Sequence, residues 1–152
     1  MKTVKELLDI AAEEARIGST NSEGGPFGAV ITDKEGNVIS VGHNMVLESH
    51  DPTNHAEVVA IRRACEKLGT HDLSGCTIYS SCEPCPMCLS AIIWSNIKTL
   101  YYGASREDAA RIGFRDSMIY DYLADKNYIL IREQCKNEKC SHVMKDYEGE
   151  VY

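Results

Sequence analysis

Two short stretches constrain this chain more than anything else in it: His55-Ala56-Glu57, and Pro84-Cys85-Pro86-Met87-Cys88 further on. One imidazole and two thiols supply three ligands to a borderline-soft ion such as zinc. They leave the fourth tetrahedral corner to water, which separates a catalytic zinc from a closed structural one. Glu57 lies two positions from the candidate ligand His55 and is too hard a donor to be needed beside it. It is placed to pass protons between that water and a substrate.

Each half of the pattern has a blander reading. A single histidine is more often an ordinary polar or core residue than a ligand. Cys85-x-x-Cys88 by itself fits a redox dithiol at a helix start, or half of a four-cysteine ribbon, as well as an open metal site. A redox dithiol leaves His55-Ala56-Glu57 without a role. A structural zinc needs a fourth protein ligand, for which Cys82 is the nearest candidate and Cys135, Cys140 and His142 the distant ones. The open site accounts for both stretches together. Cys135, Cys140 and His142 are the residues of an alternative second site, on looser spacing. Cys65 and Cys76 sit in helix and strand patterns and read as buried apolar thiols.

Length and charge narrow the partners. A chain of 152 residues suits one well-packed domain and is short for two. Seven cysteines form an odd set, and the first residues lack the apolar core of an export signal, so reduced thiols and a cytoplasmic setting are expected. No apolar run reaches bilayer length. The net charge of −7 argues against a polynucleotide ligand, whose phosphates call for a basic face, and for a small molecule instead. Arg62-Arg63 is the only local basic cluster, and it lies within a helix pattern.

Periodicity places these motifs. Val4, Leu7, Leu8, Ala11, Ala12 and Ala15 recur at helical spacing and predict an amphipathic helix ending near Gly18. A glycine-containing loop follows, leaving through Gly24-Gly25-Pro26-Phe27-Gly28. Ala29-Val30-Ile31-Thr32 and Val38-Ile39-Ser40-Val41 read as a hairpin. A helix is expected to start at or just after Thr53-Asn54 and run to about Leu68, with Val59, Ile61, Ala64 and Leu68 inward and both His55 and Glu57 in its first turn. Cys76 to Ser80 reads as a buried strand leading into the cysteine motif. Pro86 suits the first turn of the next helix, which puts Cys85 and Cys88 on one side. Lys98 to Gly103 reads as another strand, Arg106 to Arg111 and Ser117 to Leu123 as short helices, and Tyr128-Ile129-Leu130-Ile131 as a last apolar run. Helices between the later strands argue an α/β domain of three layers, with an antiparallel start and parallel pairing later.

With these residues in place, the whole chain resembles the cytidine/deoxycytidylate deaminase superfamily, whose H-x-E and P-C-x-x-C motifs it carries. Within it, the chain is most similar to the small bacterial guanine deaminases. The shared stretches are Gly24 to Val30, Gly42-His43-Asn44, Asp51-Pro52-Thr53 with His55-Ala56-Glu57, Ser81 to Cys88, and Gly113-Phe114-Arg115-Asp116-Ser117. The last is the narrower pointer to guanine. The resemblance implies a three-layer α/β/α fold with a central mixed five-stranded sheet in a single domain, 1–152. It implies one Zn2+ per subunit on His55, Cys85 and Cys88, with water as fourth ligand. It makes Glu57 the proton shuttle and Asp116 a second catalytic group near the departing amine. Asn44 would hold the purine edge and Phe27 would stack on the ring, with Ala56, Trp94 and Tyr152 completing the substrate site. It further implies a homodimer that exchanges a C-terminal segment from about residue 124, carrying Tyr152, and a role in purine catabolism. Without the resemblance, Asn44 reads as a turn residue, Asp116 as a helix cap and Phe27 as core.

Overall fold

A computed structural model describes residues 1–152. They form two compact units, Met1–Asp116 and Ser117–Tyr152. In the first unit the chain runs α1 (Val4–Thr20), β1 (Gly28–Thr32), β2 (Val38–His43), α2 (Val46–Ser49), α3 (Ala56–Leu68), β3 (Thr77–Cys82), α4 (Pro86–Trp94), β4 (Thr99–Ala104) and α5 (Arg106–Arg111). The second unit holds α6 (Ser117–Leu123) and α7 (Glu138–Asp146).

The strands form one mixed sheet in the order β2-β1-β3-β4. β1 pairs antiparallel with both β2 and β3, and β3 pairs parallel with β4. The hairpin is closed by Asp33, whose carboxylate accepts from the Glu35 and Asn37 N–H groups, so the turn holds its own backbone. The parallel step is the one that needs a crossover helix, and α4 supplies it directly after the cysteine motif.

Strand alternation assigns the two faces. Ala29 and Ile31 of β1 and Ile78 of β3 pack with Ala56, Ala60 and Ala64 of α3 and Ile92 of α4. Val30 and Tyr79, on the opposite side, pack with Leu7 and Ala11 of α1. Helices therefore cover both faces, as the sequence predicts. Tyr79 also stacks on Tyr101 across the parallel pair, with ring centroids 5.5 Å apart.

Four expectations need correction. The sheet has four strands rather than five: Tyr128-Ile129-Leu130-Ile131 belongs to no strand, and its four side chains are exposed. An apolar run becomes a strand only where a neighbouring edge satisfies its backbone, and these residues have no ladder partner. The inward stripe of α1 is narrower than its apolar pattern, being Leu7, Ala11, Ala15 and Gly18, while Val4 is exposed. Leu68 is likewise exposed, and Cys65 is half-buried where a buried thiol was expected. Two helices escape the sequence reading: the single turn α2, and α7 beyond the last apolar run.

Candidate metal centre

The candidate ligands sit at two helix starts. His55 is the N-cap of α3 and Cys85 the N-cap of α4, both with extended backbone (φ −69°, ψ 160° and φ −68°, ψ 169°). Neither side chain caps its own helix. Pro86 occupies the first position of α4, where its missing N–H leaves no bond unmade, and Cys88 follows at the third. N-cap and third positions face one another at a helix end, as in a capping box, so Cys85 and Cys88 converge. Both helix starts turn their positive ends to the cluster, which favours anionic sulfur and carboxylate.

The convergence is close. His55 Nδ1 lies 3.6 Å from Cys85 Sγ and 3.5 Å from Cys88 Sγ, and the three donor atoms are all within 4.8 Å of one another. A tetrahedral zinc with ordinary Zn–S and Zn–N bonds has an N···S edge of about 3.5 Å. The donors present thus fit the ion in both type and spacing. Cys82 does not join them: its thiol donates to the Ser105 carbonyl at 3.4 Å. Burial pushes that thiol up to about 11, the wrong direction for a ligand. Cys135 and Cys140 are exposed and do not gather with His142 into a second cluster.

Protons are shared within the cluster. The Cys85 thiol is lowered to about 4, first by a hydrogen bond from Cys88, against the effect of burial, and then by His55. Cys88 is raised, as the donor to Cys85 and through burial beside Glu57. His55 is raised chiefly by its hydrogen bond to Cys85, with burial opposing. A site that assembles one thiolate, one thiol and an imidazole this closely releases protons when it takes up a divalent ion.

Glu57, at the second position of α3, is 5% exposed. Burial pushes its carboxyl up, and a hydrogen bond from Cys88 opposes that. A carboxyl held toward its neutral form beside a metal position is suited to both taking and giving a proton. Ala56 is fully buried and leads into it.

The remaining candidates lie as follows. Asn44, 5% exposed, donates its N–H to the Phe27 carbonyl at 3.0 Å, and its Oδ1 accepts from Val46 N–H at 3.0 Å. Phe27 is half-buried, and Gly28 beyond it donates to Ser81 Oγ at 2.9 Å, tying that loop to the strand before the cysteines. Asp116 is half-buried and its carboxyl is raised, first by burial; Arg106 opposes the rise, and Cys85 adds to it. Trp94 ends α4 and is exposed, about 9 Å along the helix axis from Cys88. Tyr152, in the second unit, is exposed. Two contacts are missing from the sequence reading. Phe114 meets Phe27 edge to face, and His43 bonds the carboxylates of Glu14 and Glu23. Phe114 lies inside the Gly113 to Ser117 stretch and His43 inside Gly42-His43-Asn44, so both positions carry a signal; the partners of His43, Glu14 and Glu23, carry none.

A profile of the cytidine and deoxycytidylate deaminase zinc-binding region matches residues 1–104. The guanine deaminase of Bacillus subtilis is 51% identical over 117 residues, covering 77% of this chain and 72% of its own length. A tRNA-specific adenosine deaminase of Haemophilus influenzae is 36% identical over 121 residues, covering 80% of this chain and 67% of its own. Among solved structures, the X-ray structure of the guanine deaminase of Bacillus subtilis superposes with a TM-score of 0.90 at 40% identity, over 99% of each chain.

Proposed function

The chain belongs to the cytidine and deoxycytidylate deaminase zinc-binding family, and from that premise we propose that it is a guanine deaminase, converting guanine and water to xanthine and ammonia. The observation that carries this reading is a buried carboxyl, Glu57, two residues from His55 in a three-donor cluster of zinc spacing. That cluster lies in a chain similar along its whole length to a guanine deaminase.

His55, Cys85 and Cys88 would hold the zinc, which when bound makes water acidic enough to act near neutral pH. Glu57 takes a proton from the attacking water and returns it to the ring nitrogen beside the amine-bearing carbon. Glu57 next takes the proton of the hydroxyl now on that carbon and passes it to the amine, which leaves as ammonia as the carbonyl forms, with Asp116 assisting near that amine. Asn44 holds the purine edge, Phe27 stacks on the ring and Ala56 lines the floor, so the base is fixed for attack. Burial of Glu57 and Ala56 excludes bulk water from the side where protons move.

The proposal extends to assembly. Tyr101 and Tyr102 on the edge strand β4, Ile93 and Trp94 on α4, and Tyr128 to Ile131 in the second unit are all exposed. So much exposed apolar surface favours a homodimer in which the segment from about residue 124 is exchanged. Trp94, and Tyr152 of the partner subunit, then wall the site. A cytoplasmic role in purine catabolism goes with this activity. No helix is long and apolar enough to cross a membrane.

Deamination of adenosine in tRNA is the second reading, favoured by the 36% identical relative. The chain's charge of −7 and its higher identity to a guanine deaminase weigh against it. Ammonia release measured across guanine, adenine, cytosine, cytidine, adenosine and ammeline tests the assignment. Guanine is expected to be the fastest; a faster rate on any other base overturns the proposal. Light scattering on the eluting peak checks for the dimer.

A further inference from the structure

We propose that His43 is a positioning residue: its ring clamps Glu14 of α1 to Glu23 of the following loop, and so seats Asn44 and the loop that carries Phe27 against the base. The inference rests on the guanine deaminase reading and names a residue that acts on the substrate through others.

His43 ends β2, next to Asn44, and lies outside the donor cluster. Its Nδ1 is 2.9 Å from a Glu14 carboxylate oxygen, and its Nε2 bonds a Glu23 carboxylate oxygen. The three side chains are only 12%, 19% and 23% exposed. The chain makes room for this ring. A side chain at Gly18 of α1 would put its Cβ 2.5 Å from His43 Cδ2, so the helix carries a glycine, normally unfavourable there, where the imidazole lies.

The loop gripped by the clamp is bonded throughout to the base-binding side. Glu23 donates its N–H to the Gly18 carbonyl at 2.9 Å, and its own carbonyl accepts from Leu47 and Glu48 at the start of α2. Gly24 lies directly on Asn44, where a Cβ would fall 2.1 Å from Oδ1. Asn44 N–H reaches the Phe27 carbonyl. Glu23, Gly24, Phe27 and Asn44 therefore move together or not at all.

Two carboxylates on opposite ring nitrogens need two donors, which only the imidazolium has; the neutral ring donates to one and releases the other. Burial favours the neutral form, but Glu14 and Glu23 outweigh it and hold the ring's ionisation above its ordinary value. The charged groups facing the ring are Glu14 from α1 and Glu23 from the loop. From α3, Arg63 turns instead to the Val41 carbonyl and the Met45 sulfur, and β1 brings only Gly28 opposite. Loss of the clamp should loosen the base-binding side while leaving the metal side intact.

The test is steady-state ammonia release from guanine by zinc-loaded wild type, His43→Asn and Glu23→Gln, with zinc content measured on each. Both variants are expected to keep their zinc and raise KM by about fivefold or more, with kcat within about threefold. In wild type, KM should climb as pH rises from 6.5 through the raised ionisation of His43, and His43→Asn should flatten that climb. KM within about twofold of wild type in both variants, whatever happens to their melting temperatures, overturns the inference. Should His43→Asn not fold, Glu23→Gln and the wild-type profile decide, a flat KM across that range being the contrary result. Wild type inactive on guanine defeats the functional reading and this inference with it; active wild type with unshifted variants defeats this inference alone.

Discussion

The rings of Phe27 and Phe114 meet edge to face, with centroids 5.1 Å apart and planes at 88°. Gly25 borders both, and a Cβ there would lie 2.9 Å from Phe27 and 3.0 Å from Phe114. If Phe27 stacks on the base, Phe114 sets the plane in which it does so. An aromatic pair of this geometry is worth about 0.5–1.5 kcal/mol beyond its burial. Phe114→Leu is therefore expected to raise KM for guanine by about two- to tenfold while zinc content stays unchanged. Steady-state kinetics beside metal analysis reads both; an unchanged KM would remove Phe114 from the substrate wall.

Glu57→Gln keeps the volume and hydrogen-bonding reach of the side chain but cannot carry a proton between water and base. Turnover should fall by about a hundredfold or more, with zinc retained. Near-normal turnover in a metal-loaded variant would refute the proton-shuttle role.

Removal of the metal should be visible in stability as well as activity. The donor cluster joins the starts of α3 and α4. An ion bound only by the folded chain stabilises it in proportion to the logarithm of its free concentration. Chelation should lower the melting temperature, and added zinc should restore it. In Cys88→Ser, chelation is expected to cause a far smaller shift, because one of the three donors has become a poor one. A chelator-insensitive melting temperature in wild type would separate the cluster from metal binding.

The site was more legible in the sequence than the periphery of the fold, for a physical reason. His55, Cys85, Cys88 and Glu57 are fixed by local rules: a helix start for each motif, a proline at the first turn, and ligand chemistry that few other residues satisfy. The four strands followed from β-branched runs bounded by turns. The 128–131 run has the same composition, yet strand formation depends on an available edge, which composition does not encode. The His43 clamp and the Phe27–Phe114 pair join residues distant in sequence, and polar or aromatic character alone does not say which will meet.

The His43 clamp also predicts a pH-dependent stability. Its folded-state ionisation lies above the ordinary value of 6.5, so its contribution is fully present below that pH and disappears as pH rises through the raised value. The difference in melting temperature between wild type and His43→Asn should be largest just below pH 6.5 and shrink on the alkaline side. Thermal melts in matched ionic strength would check it. A difference that grows with pH would mean the ring is held neutral.

Gly28 opens β1 where α1 crosses it, and the two backbones are in direct contact there. A Cβ at this position would fall 2.0 Å from the Ala11 carbonyl oxygen and 2.8 Å from the Ala15 nitrogen. Those are helix backbone atoms, which cannot turn aside as a flexible side chain would, so α1 as a whole must lift from the sheet. Lifting it separates Leu7 and Ala11 from Val30 and Tyr79. It also drags on Glu14, one jaw of the clamp. Overpacking of a well-filled core costs about 1–3 kcal/mol, and a clash with rigid backbone belongs at the upper end. Gly28→Ala should therefore lower the unfolding free energy read from urea melts by that amount and raise KM for guanine through the displaced clamp, with zinc still bound at α3 and α4. A stable Gly28→Ala protein with unchanged KM would show that α1 can shift without disturbing the base-binding side.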